Sequence, residues 1–361
     1  LEKMCGRKFT AGSNPAPSAF ESRFMTKVAL IIWGFVLIYF VYIGITTPVL
    51  EGDSLAYHLP IAQNILAGKW SHFDNLLYYY PGSSEVLLAV LLWLHIPLNL
   101  YNVAAWVILF VVCWRMSKSA IFAASICLLP SMVRLINTQT VDIWLAVWWI
   151  LVWYELELPK INWCRLGIWL GMLIGTKYSG PLFTLGLLTL YLPKIINKFN
   201  LKSLLQLLLT ATPFGLVWYL RNYWETGDCI YPATAESFKL LHWQAWQNVI
   251  YYPTKFVSAI FSEFLAWPIL VFWVRDRKLL YLGICGLVIY LILPSWPENV
   301  LSDLRYVYPA IIPLLMGVFR SSRIGFLALA SMLAVLPQLN YHPKLFVTYI
   351  LVCGLYFWWR R

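Results

Sequence analysis

Residues 28–47, VALIIWGFVLIYFVYIGITT, run from end to end without a charged side chain. A hydrocarbon core about 30 Å thick needs roughly 20 apolar helical residues to cross it, so this stretch reads as a transmembrane helix. Just beyond it, residues 51–60 read EGDSLAYHLP. Glu51, Asp53, Tyr57 and His58 thus fall together in a chain that is otherwise strongly apolar.

Working outward, the same pattern recurs. The 361 residues are 61% hydrophobic and only 12% charged, with a mean hydropathy of +0.69. A soluble protein carries about 25% charged residues. The chain is therefore expected to be an all-α polytopic membrane protein. The 20 Trp and 22 Tyr fit, because amphipathic rings favour the membrane–water interface. A net charge of +11 invites a nucleic-acid reading, but in a membrane chain it reflects loop topology, and no nucleic-acid partner is expected. The seven cysteines show no CxxC spacing and read as small apolar residues.

Residues 1–27 are expected to be a disordered cytoplasmic tail, and residues 28–361 the transmembrane domain. The turn-forming run Gly12 to Ser18 has no apolar period, and Met25 is a candidate start that would make residues 1–24 an artefact of gene assignment. Arg23 and Lys27 before the first span put the N-terminus in the cytoplasm. Residues 55–67 then form an amphipathic helix on the outer surface, and Leu76–Pro81 an interfacial loop.

Val86–Pro97 is apolar but too short for a full crossing, and is read as interfacial or re-entrant. That choice puts five later basic loops inside. Further spans follow near 99–114, 119–136, 141–154, 163–175, 179–193, 203–220, 255–274, 279–296, 306–319, 324–339 and 345–359. With the first, about 12 helices are expected, with both termini cytoplasmic.

Ionisable groups near membrane depth are expensive and are retained mainly for function. Asp53 is the first candidate, although it also suits a helix N-cap. Asp142, in TQTVDIW at 138–144, is the second; its plain alternative is a carboxylate favoured by a helix dipole. Two carboxylates that meet could divide acid–base work or share a divalent metal ion. Lys177 in GTKYSG at 175–180, Arg221 with Asn222, and Arg305 with Tyr306 are candidate phosphate contacts, whose plain alternative is snorkelling to the interface. Tyr57 and His58 complete the candidate substrate-binding set. The sequence has no P-loop, GxSxG, HExxH, CxxC or dinucleotide-binding glycine motif.

Taken in order, GDSLAYHLP (52–60), TVD (140–142), GTKY (175–178), WYLRNYWETGDCIYP (218–232) and LRYVYP (304–309) resemble the GT-C glycosyltransferases that use polyprenyl-phosphate sugars. That group includes protein O-mannosyltransferases and aminoarabinose transferases. The resemblance covers roughly residues 28–320 and implies a GT-C bundle with amphipathic helices in the first outer loop. It implies that Asp53 is the catalytic base or a metal ligand and that Asp142 is the second-loop acid. It further implies that Lys177, Arg221 and Arg305 contact the donor. Ser54 stands where many members have a second acid, and the nearby acid is Glu51.

The expected function is an inverting hexosyl- or pentosyltransferase in the cell (inner or plasma) membrane. Its active site faces the outer, periplasmic or extracellular, side. Its donor is a polyprenyl-phosphate-linked sugar, and its acceptor a lipid, glycan or protein. The rivals are a transporter or lipid flippase, an O-antigen polymerase type of protein, and a non-catalytic assembly subunit.

Overall fold

The computed structural model describes residues 19–235, 243–265, 267–295 and 297–321. Among these the chain is helical throughout, with no strand and one isolated bridge between Gln244 and Pro294. In order come α1 (Ala19–Thr46), α2 (Leu59–Leu66), α3 (Ser83–Trp93), α4 (Tyr101–Ser117), α5 (Ala120–Cys127) and α6 (Pro130–Leu135). Then follow α7 (Asp142–Glu157), α8 (Trp163–Thr176), α9 (Ser179–Ile196), α10 (Leu201–Ala211) and α11 (Val217–Thr226). The last are α12 (Ala245–Tyr251), α13 (Pro253–Phe264), α14 (Trp267–Leu270), α15 (Arg277–Ile292), α16 (Val300–Asp303) and α17 (Tyr308–Ser321).

Among the described residues four helices are long and apolar enough to cross a membrane: 24–46, 98–117, 179–196 and 201–226. A fifth crossing results if Pro253–Phe264 and Trp267–Trp273, bent by 92°, count as one. On α1, Ile31 and Ile38 are more than two-thirds exposed, as a lipid-facing helix requires. Helix α3 is an 11-residue apolar helix of the length expected for a non-crossing segment. Two boundaries differ from expectation. Residues 19–27, assigned to the tail, are the first turns of α1. The stretch 119–136 is not one helix: Leu129 adopts an extended backbone before Pro130, and the chain restarts as α6. Residues 1–18 and the expected spans at 324–339 and 345–359 lie outside the described residues.

Local chemistry sets the helix ends. Ser119, Asn162, Asn200 and Asp276 each accept a backbone hydrogen bond at an N-cap, starting α5, α8, α10 and α15. Lys118 closes α4, and Gly227 closes α11, in the left-handed conformation.

The packing that matters most for the site is a glycine stripe on α8. Gly167, Gly171 and Gly175 recur every fourth residue and lie against the backbone of α10 and of the π-turn Thr212–Leu216. A Cβ on Gly171 would stand 2.6 Å from the Ala211 carbonyl oxygen, and one on Gly167 2.7 Å from that of Leu207. Small residues at this spacing let helix backbones touch. The stripe ends two residues before Lys177 and so fixes where that lysine stands.

A tryptophan-rich layer fills the centre. Trp144 stacks on Trp148 at 5.1 Å, and Trp148 on Trp169 at 5.8 Å, tying α7 to α8.

Candidate active site

The stretch that follows α1 divides its two acids between two tasks. Glu51 accepts hydrogen bonds from the Asp53 amide (3.1 Å), the Ser54 amide (2.6 Å) and the Ser54 hydroxyl (2.6 Å). It is the local cap that starts the turn. Ser54, fully buried, accepts from the Gln139 amide at 3.0 Å. With Glu51 holding the turn, the Asp53 side chain is left to meet Arg305. The next residues form a single π-helical turn, Ser54–His58, leading into α2. Such turns recur at functional sites because they re-aim side chains.

The turn before α7 is fixed with equal care. Asn102 donates to the carbonyls of Leu135 (3.1 Å) and Thr140 (2.8 Å). Gln139 donates to Asn99 at 2.6 Å, and Asn99 to the Thr47 carbonyl at 2.8 Å. Asp142 then opens α7 at 2% exposure of its side chain, where the helix N-terminus favours an anion.

Four distant segments meet here. Arg305 Nη2 lies 2.6 Å from Asp53 Oδ2, and Arg305 Nε lies 3.5 Å from Asp142 Oδ2. Lys177 Nζ lies 2.9 Å from Asp142 Oδ1. Its ammonium also sits 3.8 Å from the centre of the Tyr306 ring, a cation–π contact, and the Tyr306 hydroxyl lies 3.1 Å from Arg305 Nη2. The result is an alternating chain of charge: Asp53, Arg305, Asp142, Lys177. Side-chain exposure runs 38%, 11%, 2% and 24% along it, so Asp53 is its most open member. Burial works against the charge on Arg305 and Lys177, but the carboxylates outweigh it and hold both pKa values above their ordinary range. Burial first, and the Asp53 charge second, push the Tyr57 phenol well up, so it stays a neutral donor beside the cluster.

His58 lies one layer behind. Its Nδ1 is 2.7 Å from Glu85 Oε1, and both side chains are almost fully buried. Glu85 was not singled out from the sequence. In Ser83-Ser84-Glu85 it reads as the ordinary polar start of a helix. The structure gives all three residues partners on other elements. Ser83 accepts from Trp218 Nε1 at 2.7 Å and donates to the Phe214 carbonyl. Ser84 meets Thr176 at 2.6 Å and Trp148 Nε1 at 3.1 Å. Tyr80, also missed, packs its ring between those of Tyr57 (5.7 Å) and Tyr178 (5.6 Å).

Arg221 and Asn222 do not join the charge chain. Arg221 donates to the Tyr79 carbonyl at 2.7 Å, and Asn222 to the carbonyls of Tyr79 (3.0 Å) and Tyr231 (2.6 Å). They brace the loop of three tyrosines from behind, because α11 presents them to that loop. Among the described residues no group of three or more His, Cys, Asp and Glu could hold a metal ion. Arg305 already bridges Asp53 and Asp142, and Lys177 is bonded to Asp142, so a divalent ion between the carboxylates would have to displace a cation. The donor set does not fit a metal.

Compared with known proteins, the backbone matches crystal structures of ArnT from Cupriavidus metallidurans. The apo form aligns with TM-score 0.56 at 17% identity, over 87% of this chain and 62% of that one. The form bound to undecaprenyl phosphate aligns with TM-score 0.58 at 18% identity, over 88% and 64%. The chain shares the ArnT fold. ArnT is an aminoarabinose transferase of the GT-C type, so the expected all-helical GT-C-type fold is borne out, the count of about 12 spans apart. The present chain spans less than two thirds of the length of the ArnT structures it matches. No family model and no curated protein matches the sequence.

Proposed function

We propose that this protein is an integral membrane glycosyltransferase. It takes a hexose or pentose from a polyprenyl-phosphate donor and passes it, with inversion at the anomeric carbon, to an acceptor hydroxyl on the outer face of the membrane. The acceptor is a lipid, glycan or protein. The observation that carries this reading is the chain Asp53–Arg305–Asp142–Lys177 at the start of α7: one open carboxylate beside two cations anchored by a buried one. That the ArnT fold has been seen with undecaprenyl phosphate bound supports the donor class.

In the reaction the acceptor oxygen forms a bond to the anomeric carbon as the bond from that carbon to the phosphate oxygen breaks. Asp53 takes the hydroxyl proton, as general-base catalysis requires. Charge builds on the departing polyprenyl phosphate, where the Arg305 guanidinium and Lys177 ammonium stabilise it. Asp142, held from both sides, keeps the two cations in place. Tyr57 and Tyr80 offer rings and hydroxyls to the sugar.

The test is Asp53→Ala in the full-length protein. The variant inserts and accumulates normally but transfers no labelled sugar from polyprenyl-phosphate donors extracted from host membranes. Transfer at near wild-type rate would remove Asp53 from the mechanism.

A further inference from the structure

Two roles assigned above conflict in the structure as it stands. Asp53 must receive a proton, yet its Oδ2 accepts a guanidinium hydrogen bond at 2.6 Å. Arg305 must meet a phosphate, yet Nη2 is turned to Asp53 and to the Tyr306 hydroxyl. A lone pair committed to a guanidinium is not available to a hydroxyl, and a donor edge committed to a carboxylate is not available to a phosphate. The contact joins the two groups that catalysis needs apart.

The surroundings show which partner gives way. Arg305 is enclosed on its buried side, where its Nε lies 3.5 Å from Asp142 Oδ2, an ion pair without a hydrogen bond, and the other oxygen of Asp142 is bonded to Lys177. The guanidinium side chain is 11% exposed, whereas that of Asp53 is 38% exposed. Among the described residues nothing comparable pins the Asp53 carboxylate, because the capping in its own turn is done by Glu51.

We infer that the donor phosphate exchanges with Asp53 for Arg305, so that donor binding is what releases the base. This rests on the glycosyltransferase reading above. In the resting protein the carboxylate occupies the place of a phosphate oxygen. The donor, a phosphodiester with one negative charge, takes over Nη2 and leaves Asp53 free beside the acceptor. The order of addition follows: donor first, acceptor second. An acceptor arriving alone finds a carboxylate whose Oδ2 is engaged by Arg305.

The same exchange runs in reverse after transfer. Asp53 now carries the acceptor proton and is neutral, so it does not compete for Arg305 while the product phosphate gains its second charge. When Asp53 gives that proton to water, its carboxylate regains Arg305 and helps displace the polyprenyl phosphate.

The experiment measures binding of undecaprenyl phosphate to the full-length protein in nanodiscs, with no sugar and no acceptor. Asp53→Asn keeps the shape of the side chain and removes the competing charge. It binds the lipid phosphate more tightly than wild type, by about fivefold, the size expected of a partly exposed charge pair. Asp53→Ala shifts affinity in the same direction and serves if the Asn variant fails to fold. Arg305→Ala weakens binding at least tenfold. Equal or weaker binding by the folded Asp53 variants overturns the exchange. Absence of binding by the wild type overturns the glycosyltransferase reading instead.

Discussion

Ser84 Oγ and Thr176 Oγ1 stand 2.6 Å apart, which ties the residue before Glu85 to the residue before Lys177. Glu85 in turn holds His58, on the turn that Asp53 begins. The start of α3 is therefore a common post for both halves of the charge chain. Ser83 anchors that post on α11 through Trp218.

Ser84→Ala breaks the post at two bonds, one to Thr176 and one from Trp148 Nε1. Thr176 keeps its bond to the Met172 carbonyl, but the buried Trp148 N–H loses its acceptor, at an expected cost of about 1–3 kcal/mol of stability. Thermal unfolding of the detergent-solubilised protein measures the loss. Because Lys177 follows directly, lipid-phosphate affinity falls as well. A variant that melts lower but binds undecaprenyl phosphate as wild type does would show that the post does not set the lysine.

Asp142→Asn removes the carboxylate that two cations share, at a site where its side chain is 2% exposed. Breaking a buried pair from one side costs about 3–5 kcal/mol. Low membrane yield, with the recovered fraction melting well below wild type, is the expected outcome. Wild-type yield and melting would mean that Lys177 and Arg305 find other partners.

Gly171→Leu forces a side chain into the backbone contact with Ala211. Overpacking of this kind costs about 1–3 kcal/mol or more. The damage reaches the site, because the stripe carries Lys177 at its end. Unfolding temperature and lipid-phosphate binding fall together. Gly227→Ala, which strains a left-handed cap far from that stripe, lowers the first and spares the second.

Both Lys177 and Arg305 keep their protons more firmly than ordinary side chains do, because Asp142 and Asp53 outweigh the effect of burial. A raised pKa means that the stabilising charge is complete below the ordinary value and is lost only as pH climbs through the raised one. Binding of undecaprenyl phosphate is thus expected to hold from about pH 7 to about pH 10, since free lysine titrates near 10.4. A midpoint near pH 8 or 9 would mean that neither cation carries the phosphate.

The members of the charge chain were legible because each breaks an apolar background. Asp53, Asp142, Lys177 and Arg305 are conspicuous in a chain that is 12% charged. Their convergence was not legible, since Asp53 and Arg305 are 252 positions apart and only the bundle joins them. Glu85 escaped notice because two serines and a glutamate are what any helix start offers. Arg221 and Asn222 misled for the opposite reason. Their motif suited phosphate, while α11 aims them at carbonyls of the tyrosine loop. The glycine stripe on α8 was present as GxxxGxxxG, but it describes backbone contact and carries no chemical signal of its own.

Helix α7 starts at Asp142 and runs to Glu155 and Glu157, where Glu155 is clasped by Arg165 and Glu157 by Lys278. At 1.5 Å per residue, the 13 residues from Asp142 to Glu155 measure about 20 Å. The helix is thus a gauge block. Its far end is anchored by cations, and its near end sets how far from them Asp142 and the side chains paired with it stand. Adding or removing one turn of α7 would move the chemistry by about 5 Å along the bundle axis. A lipid-borne phosphate, confined to its own narrow layer, would then miss the cations that await it.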